Sequence, residues 1–168
     1  MNTETKPKKE SKLDIDSNYD LQLVSTLSPA LRWVLTLPIA FIAMFAVQVG
    51  FGTLVKLINS NLPMGEIVNT IMLSTVMLAK YAIFVITATS TAPLTRNKKF
   101  IAAIAAAFIG ALLCVGGTAI SLSLSVSIDK TMLISTFVAS ILGLLLGIWK
   151  VRSSISKPVA EEDKASQL

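Results

Sequence analysis

Lys80 is the residue whose chemistry is hardest to ignore. It stands inside "STVMLAKYAIFVIT" (74–87), a run that otherwise reads as a membrane-crossing helix. A charge at the bilayer centre costs about 2.5–3.5 kcal/mol on insertion scales, so such a residue is rarely idle. Lys80 lies about thirteen residues from either end of its apolar block, close to the midplane. Snorkelling along its stem lifts the ammonium a few ångströms, short of the interface. No other apolar block carries an acid, and Glu66, fourteen residues back on the same helix, is roughly 21 Å away at 1.5 Å per residue. Three outcomes stay open: an amine neutralised by desolvation, a wet crevice shared with Gln48, Asn69, Tyr81 and nearby hydroxyls, or an ion pair with an acid from another subunit. Asn69 and Thr87 return to nearly the same helix face as Lys80, which predicts a polar stripe. Lys80, Asn69, Thr87 and Gln48 are the intramembrane polar candidates, and a role in anion or proton passage is the boldest use of them.

Other chemistry is thinly supplied. The chain has no histidine, the commonest general base and metal ligand. Its single cysteine, Cys114, sits between Leu113 and Val115 and reads as a small packing residue. "DIDSNYD" spaces Asp14, Asp16, Asn18 and Asp20 like the start of a calcium loop. It has Tyr19 where that loop needs glycine and Ser25 where it needs glutamate, so an acidic, solvated tail is expected instead. No catalytic, cofactor-binding or metal-binding residue emerges, and the expectation is a non-enzyme without a cofactor.

The elements that position these residues follow from hydropathy. Of 168 residues 53% are hydrophobic and 15% charged, with a mean hydropathy of +0.70; an ordinary soluble domain is about 25% charged. The apolar residues lie in blocks of 18 or more, the length that crosses a core of about 30 Å as a helix. Four blocks qualify: 33–55, 67–92, 100–124 and 132–149. Ser28-Pro29 is a helix start, Pro63 and Pro93 bracket the second block, and Thr95 and Asp129 are candidate N-caps for the third and fourth. Trp33 and Trp149 sit at block ends, where amphipathic rings favour the headgroup layer. Short connections make consecutive helices antiparallel neighbours. The predicted fold is an all-α membrane protein, a compact bundle of four transmembrane helices (29–152) between disordered cytoplasmic tails, 1–28 and 153–168. The first 28 residues lack the apolar core of a signal peptide. "SLSLSVS" (121–127) alternates with a strand period and predicts a frayed helix end rather than a pore stripe.

Small residues recur at four-residue spacing, along one helix face. Ser135, Ala139, Gly143 and Gly147 form a row in the fourth block; Ala103, Ala107 and Ala111 form one in the third, and Ala106, Gly110, Cys114 and Thr118 another. Such rows let membrane helices approach closely. They predict that the third and fourth spans pack on each other as a hairpin. The second row on the third span leaves room for a further partner.

Charge sets the threading. Twelve of the fifteen Lys and Arg residues fall in the N-terminal segment, the middle connection and the C-terminal tail, against Lys56 and Lys130 on the other side. The positive-inside rule then puts both termini in the cytoplasm, and the composition suits a bacterial inner membrane. The net charge of +5 does not form the aromatic-interleaved basic face of a nucleic-acid binder. The function expected is that of a small non-catalytic accessory or scaffold subunit, with membrane lipid and another integral membrane protein, or a second copy, as partners. The alternative is a homo-oligomeric channel or transporter component with a pathway near Lys80, since four helices are few for a pathway within one chain.

Threading is testable by single cysteines in a Cys114→Ala background. An impermeant reagent applied to intact cells is expected to label a cysteine at Asn61 and spare one at Asn97; the reverse pattern inverts the topology.

Overall fold

The computed structural model describes residue 15 and residues 18–62, 65–123 and 130–156. A four-residue helix α1 (Gln22–Ser25) is followed by four long helices: α2 (Pro29–Asn61), α3 (Glu66–Thr91), α4 (Lys99–Ser123) and α5 (Lys130–Ser156). A single 3-10 turn, Arg96–Lys98, leads into α4. All four long helices are long and apolar enough to cross a membrane, as expected of a multi-pass membrane protein. Helices α2 and α5 extend beyond their apolar blocks at both ends, because backbone hydrogen bonding continues after hydropathy falls, whereas α3 and α4 match theirs to within a residue. At 33 residues α2 is roughly 50 Å long, more than a core of about 30 Å requires.

Proline sets several boundaries. Pro29 occupies the first turn of α2, where its missing N–H is no loss. The Ser28 hydroxyl, expected to cap that helix, makes no capping hydrogen bond, and neither does Thr95 before the 3-10 turn. Ala92, the residue before Pro93, is extended, as the proline ring demands of its predecessor, and α3 stops there. Pro38 lies inside α2 and removes one donor from its ladder. Pro63, Asp129 and most of "SLSLSVS" lie outside the described residues.

The hub of the bundle is α3, which packs against α2, α4 and α5. Its second half is the most buried stretch of the chain, with Phe84, Val85 and Thr89 fully enclosed. Helix α2 rests on α3 and turns Val34, Ile42, Phe45 and Phe51 outward, a face suited to lipid.

Glycines decide how close the helices come. A Cβ on Gly143 would overlap the Leu78 backbone carbonyl, and one on Gly147 would lie 2.8 Å from Val85 Cβ. The Ser74 and Ser135 hydroxyls pair across the same seam at 2.8 Å. The row Ser135–Ala139–Gly143–Gly147 therefore faces α3 rather than α4, although α4 and α5 do pack on each other as the hairpin expectation had it. Contact between α4 and α5 runs instead through Gly110, where a Cβ would meet Leu144 Cδ2 at 2.6 Å. Ala103, Ala106, Ala107 and Cys114 are buried and Ala111 partly so. Both rows on α4 are thus largely used within the chain.

The polar ends separate by charge. Arg32, Arg96, Lys98, Lys99, Lys150 and Arg152 collect at one end, the basic end, while Lys56 and Lys130 lie toward the other. Some of the tail residues expected to be disordered are packed at the basic end, while others such as Leu23, Ser25 and Thr26 are exposed. Tyr19, Leu21 and Val24 are buried, Ile15 pairs with Leu21 in an antiparallel bridge, and Leu21 N–H donates to Ser90 O at 3.0 Å. Ser153–Ser156 continue α5.

Replacing Gly143 or Gly147 by leucine is expected to lower the detergent melting temperature, since even modest overpacking costs about 1–3 kcal/mol. Leu145→Ala and Leu146→Ala, at exposed positions, are the controls. Glycine variants that melt with the controls would refute the close α3–α5 contact.

Candidate functional site

Lys80 projects from the middle of α3 into two cavities. One, of about 210 Å³, lies among α3, α4 and α5 and is lined by Lys80, Tyr81, Cys114, Thr118, Thr136 and Ser140, among others. The other, of about 360 Å³, lies between α2 and α4, where Lys80 and Tyr81 meet Phe41, Met44, Gln48 and Gly117. The lysine is half-buried; its Nζ lies 3.9 Å from Met77 Sδ and 5.5 Å from the centroid of the Tyr81 ring. Among the described residues it makes no ion pair.

The four serine and threonine hydroxyls around the first cavity have already committed their protons. Thr118 Oγ1 donates to Cys114 O at 2.8 Å, Thr136 Oγ1 to Met132 O at 2.8 Å, Ser140 Oγ to Thr136 O at 2.7 Å, and Ser121 Oγ to Gly117 O at 2.9 Å. Each such hydroxyl keeps lone pairs for another donor. The cavity therefore offers acceptors, which suit an ammonium or water; an anion would meet lone pairs at these four groups. Its volume admits water, whose share of the liquid is about 30 Å³. In the second cavity Gln48 Oε1 is a buried acceptor with no hydrogen-bond partner among the described residues.

Of the four intramembrane candidates, the structure brings Lys80 and Gln48 together. Asn69 and Thr87, on the same helix α3, line neither cavity. The polar surroundings of Lys80 come from three other helices: Gln48 from α2, Cys114 and Thr118 from α4, Thr136 and Ser140 from α5.

Sequence reasoning missed a second constellation, at the basic end. Lys99 is fully buried. Its ammonium donates to Asp20 Oδ1 at 2.6 Å, Ala92 O at 2.7 Å and Thr89 O at 3.0 Å. Arg32 holds the same carboxylate with both terminal nitrogens, at 2.5 and 3.2 Å, and donates through Nε to Thr91 O at 3.2 Å. The last carbonyls of α3, which have no intrahelical partner, are thus met by two cations. Burial alone would raise the Asp20 carboxyl; hydrogen bonds and charge from Arg32 and Lys99 outweigh it and hold the group below its usual range. Tyr19, whose φ of 63° is an uncommon left-handed conformation for a bulky residue, turns the chain so that its ring is buried and Asp20 faces the cations. Burial pushes its phenol up to about 12. Arg96 performs a related task, donating to Ser154 O at 3.0 Å and Ile155 O at 3.2 Å near the end of α5.

The signals for this cluster were small. Leu21 and Val24 interrupt the polar tail just after Asp20, and Lys99 directly precedes an apolar block.

No family model, curated protein or solved structure matches this chain.

Asp20→Asn leaves two buried cations without their carboxylate, a change expected to cost about 3–5 kcal/mol; adding Lys99→Met is expected to recover part of it. The folded value of Asp20 lies below the unfolded value near 3.9. Its stabilisation is therefore complete above about pH 4 and is lost as pH falls through the folded value. Detergent melts from neutral to acid pH check this: the gap between the native chain and Asp20→Asn is expected to narrow on acidification. A constant gap would exclude Asp20 as the titrating group.

Proposed function

We propose that this chain is a small, non-catalytic, multi-pass protein of the bacterial inner membrane. It acts as an accessory or scaffold subunit, with both termini in the cytoplasm, and docks against another integral membrane protein. The observation that carries this reading is the midspan ammonium of Lys80, held among acceptors in a chain whose described spanning helices carry a single carboxylate, Glu66, at the far end of α3. A charge so placed is costly unless something pairs with it. A partner helix bearing an acid or amide at that depth supplies the missing group, and Gln48 Oε1 beside it takes a donor from the same source. Docking through Lys80 rather than through the glycine and alanine rows agrees with those rows being used inside the bundle.

A homo-oligomeric conduit is the lesser reading. Anion passage past Lys80 asks for donors along the path, and the four cavity hydroxyls have given theirs to their own helices.

Purification in mild detergent with stoichiometry by light scattering tests the proposal. The native chain is expected to co-purify with one membrane protein in fixed ratio. Lys80→Met is expected to keep abundance while that ratio falls several-fold, and Lys80→Glu to lower it further through carboxylate repulsion. Unchanged co-purification of Lys80→Met would remove the lysine from the interface, and a homo-oligomer without other subunits would favour the conduit.

A further inference from the structure

The cavity among α3, α4 and α5 has a direction. Along α4 its lining runs from Cys114 through Thr118 to Ser121, and along α5 from Ser140 back through Thr136 to Leu133. Each run spans roughly 10 Å of helix at 1.5 Å per residue. Ser121 lies in the last turn of α4 and Leu133 in the first turn of α5. The cavity therefore reaches from Lys80 at midspan to the helix ends opposite the basic end.

Toward the basic end the same three helices close. Phe84, fully buried, lies one turn beyond Lys80 and Tyr81 on α3, and Leu144, 4% exposed, lies one turn beyond Ser140 on α5. Both press on Gly110 of α4, where an added Cβ would stand 2.6 Å from Leu144 Cδ2 and 3.5 Å from Phe84 Cδ1. Gly143 and Gly147 shut the α3–α5 seam beside this layer by seating α5 on Leu78 and Val85. A water held in the layer would find no side-chain partner, and a buried water needs two to four polar ones. The cavity ends blind there.

Its occupant must satisfy two kinds of group. The Lys80 ammonium has Met77 Sδ, at 3.9 Å, as its one hydrogen-bond acceptor among the described residues, so its protons call for acceptors. Thr118, Ser121, Thr136 and Ser140 have given their protons to backbone carbonyls, and their lone pairs call for donors. A cation is repelled by the ammonium. An anion pairs with Lys80 but meets lone pairs at the four hydroxyls. Water accepts from the one and donates to the others, and at about 30 Å³ apiece several fit in about 210 Å³.

We propose that water enters this cavity from the end of the bundle opposite the basic end, solvates Lys80, and is stopped by the Phe84–Leu144 layer. Lys80 is thereby a midspan charge served by water from one side of the membrane. The blind end makes the cavity an access path to one residue and not a route across. Lys80 also lines the α2–α4 cavity, so it stands between this water and anything that enters there. The water path rests on the membrane reading and shares Lys80 with the docking reading, but needs no partner.

Cysteine reactivity reads the path in the full-length chain, in a Cys114→Ala background. The probe is the small, membrane-impermeant sulfonatoethyl methanethiosulfonate, applied to intact cells and, separately, to inside-out vesicles. Val115→Cys is the control: Val115 adjoins Cys114 at the same depth and is 54% exposed on the outer surface of α4. Lys80→Cys is expected to react from the side that labels Asn61→Cys, about tenfold or more faster than Val115→Cys, because apolar surroundings suppress the reactive thiolate. Thr118→Cys leaves Lys80 in place and is expected to react likewise. Ala107→Cys, beyond the apolar layer, is expected to stay unlabelled from either side. A Cβ on Gly117, which lines the cavity, meets nothing within 4 Å, so Gly117→Leu fills the path and is expected to slow Lys80→Cys several-fold. Reaction of Lys80→Cys and Thr118→Cys from the side that labels Asn97→Cys overturns the proposal. Cavity cysteines as slow as a slow Val115→Cys refute the water path alone, whereas a Val115→Cys as fast as Asn61→Cys refutes the membrane reading with it.

Discussion

Lys99 is the charge around which the basic end is assembled. An ammonium withdrawn from water must place its donors on acceptors or lose its charge, and here it reaches one carboxylate and two backbone oxygens. That requirement brings four separate pieces of chain to one point. They are the N-terminal segment through Asp20, the start of α2 through Arg32, the end of α3 through its unpaired carbonyls, and the start of α4 through Lys99 itself. Lys80 faces the same requirement half a membrane away, where no carboxylate of the described chain joins it. One lysine is answered by a carboxylate and supports the fold; the other meets cavity acceptors and no described carboxylate.

Close packing follows a different rule. Between helices in lipid the hydrophobic effect supplies little attraction, so contact depends on dispersion and on backbones that can approach. Gly143 and Gly147 let α5 sit directly on the α3 backbone, and Gly110 accommodates Leu144 of α5. The hub position of α3 is the outcome, with α5 brought onto it through glycines. The loosely covered α2 contributes mainly an outer surface.

Four spans and their order were legible because hydropathy over twenty residues is a strong local signal. The rows of small residues were legible as faces of close approach, but spacing carries no address. Ser135–Ala139–Gly143–Gly147 reads the same whether it meets α4 or α3. The polar surroundings of Lys80 were read along its own helix, through Asn69 and Thr87, because periodicity relates residues within one element. Thr118, Thr136 and Ser140 arrive from other helices and leave no trace at that spacing. Asp20 and Lys99 are 79 residues apart, and each resembles an ordinary flanking charge until the ends meet. A polar tail with a handful of apolar residues is close in composition to a solvated one.

The separation of Asp20 and Lys99 has a consequence for biogenesis. Synthesis runs from the N-terminus, so Asp20 is made long before its lysine. During the interval Arg32, twelve residues on, is the cation at hand, and the carboxylate waits beside the first span at the interface. When α4 arrives, Lys99 enters a position already fitted with acceptors. Registration of the third span is thereby checked against the very first part of the chain. A chain that ends before Lys99 has its tail half-anchored, held by Arg32 alone of the two cations.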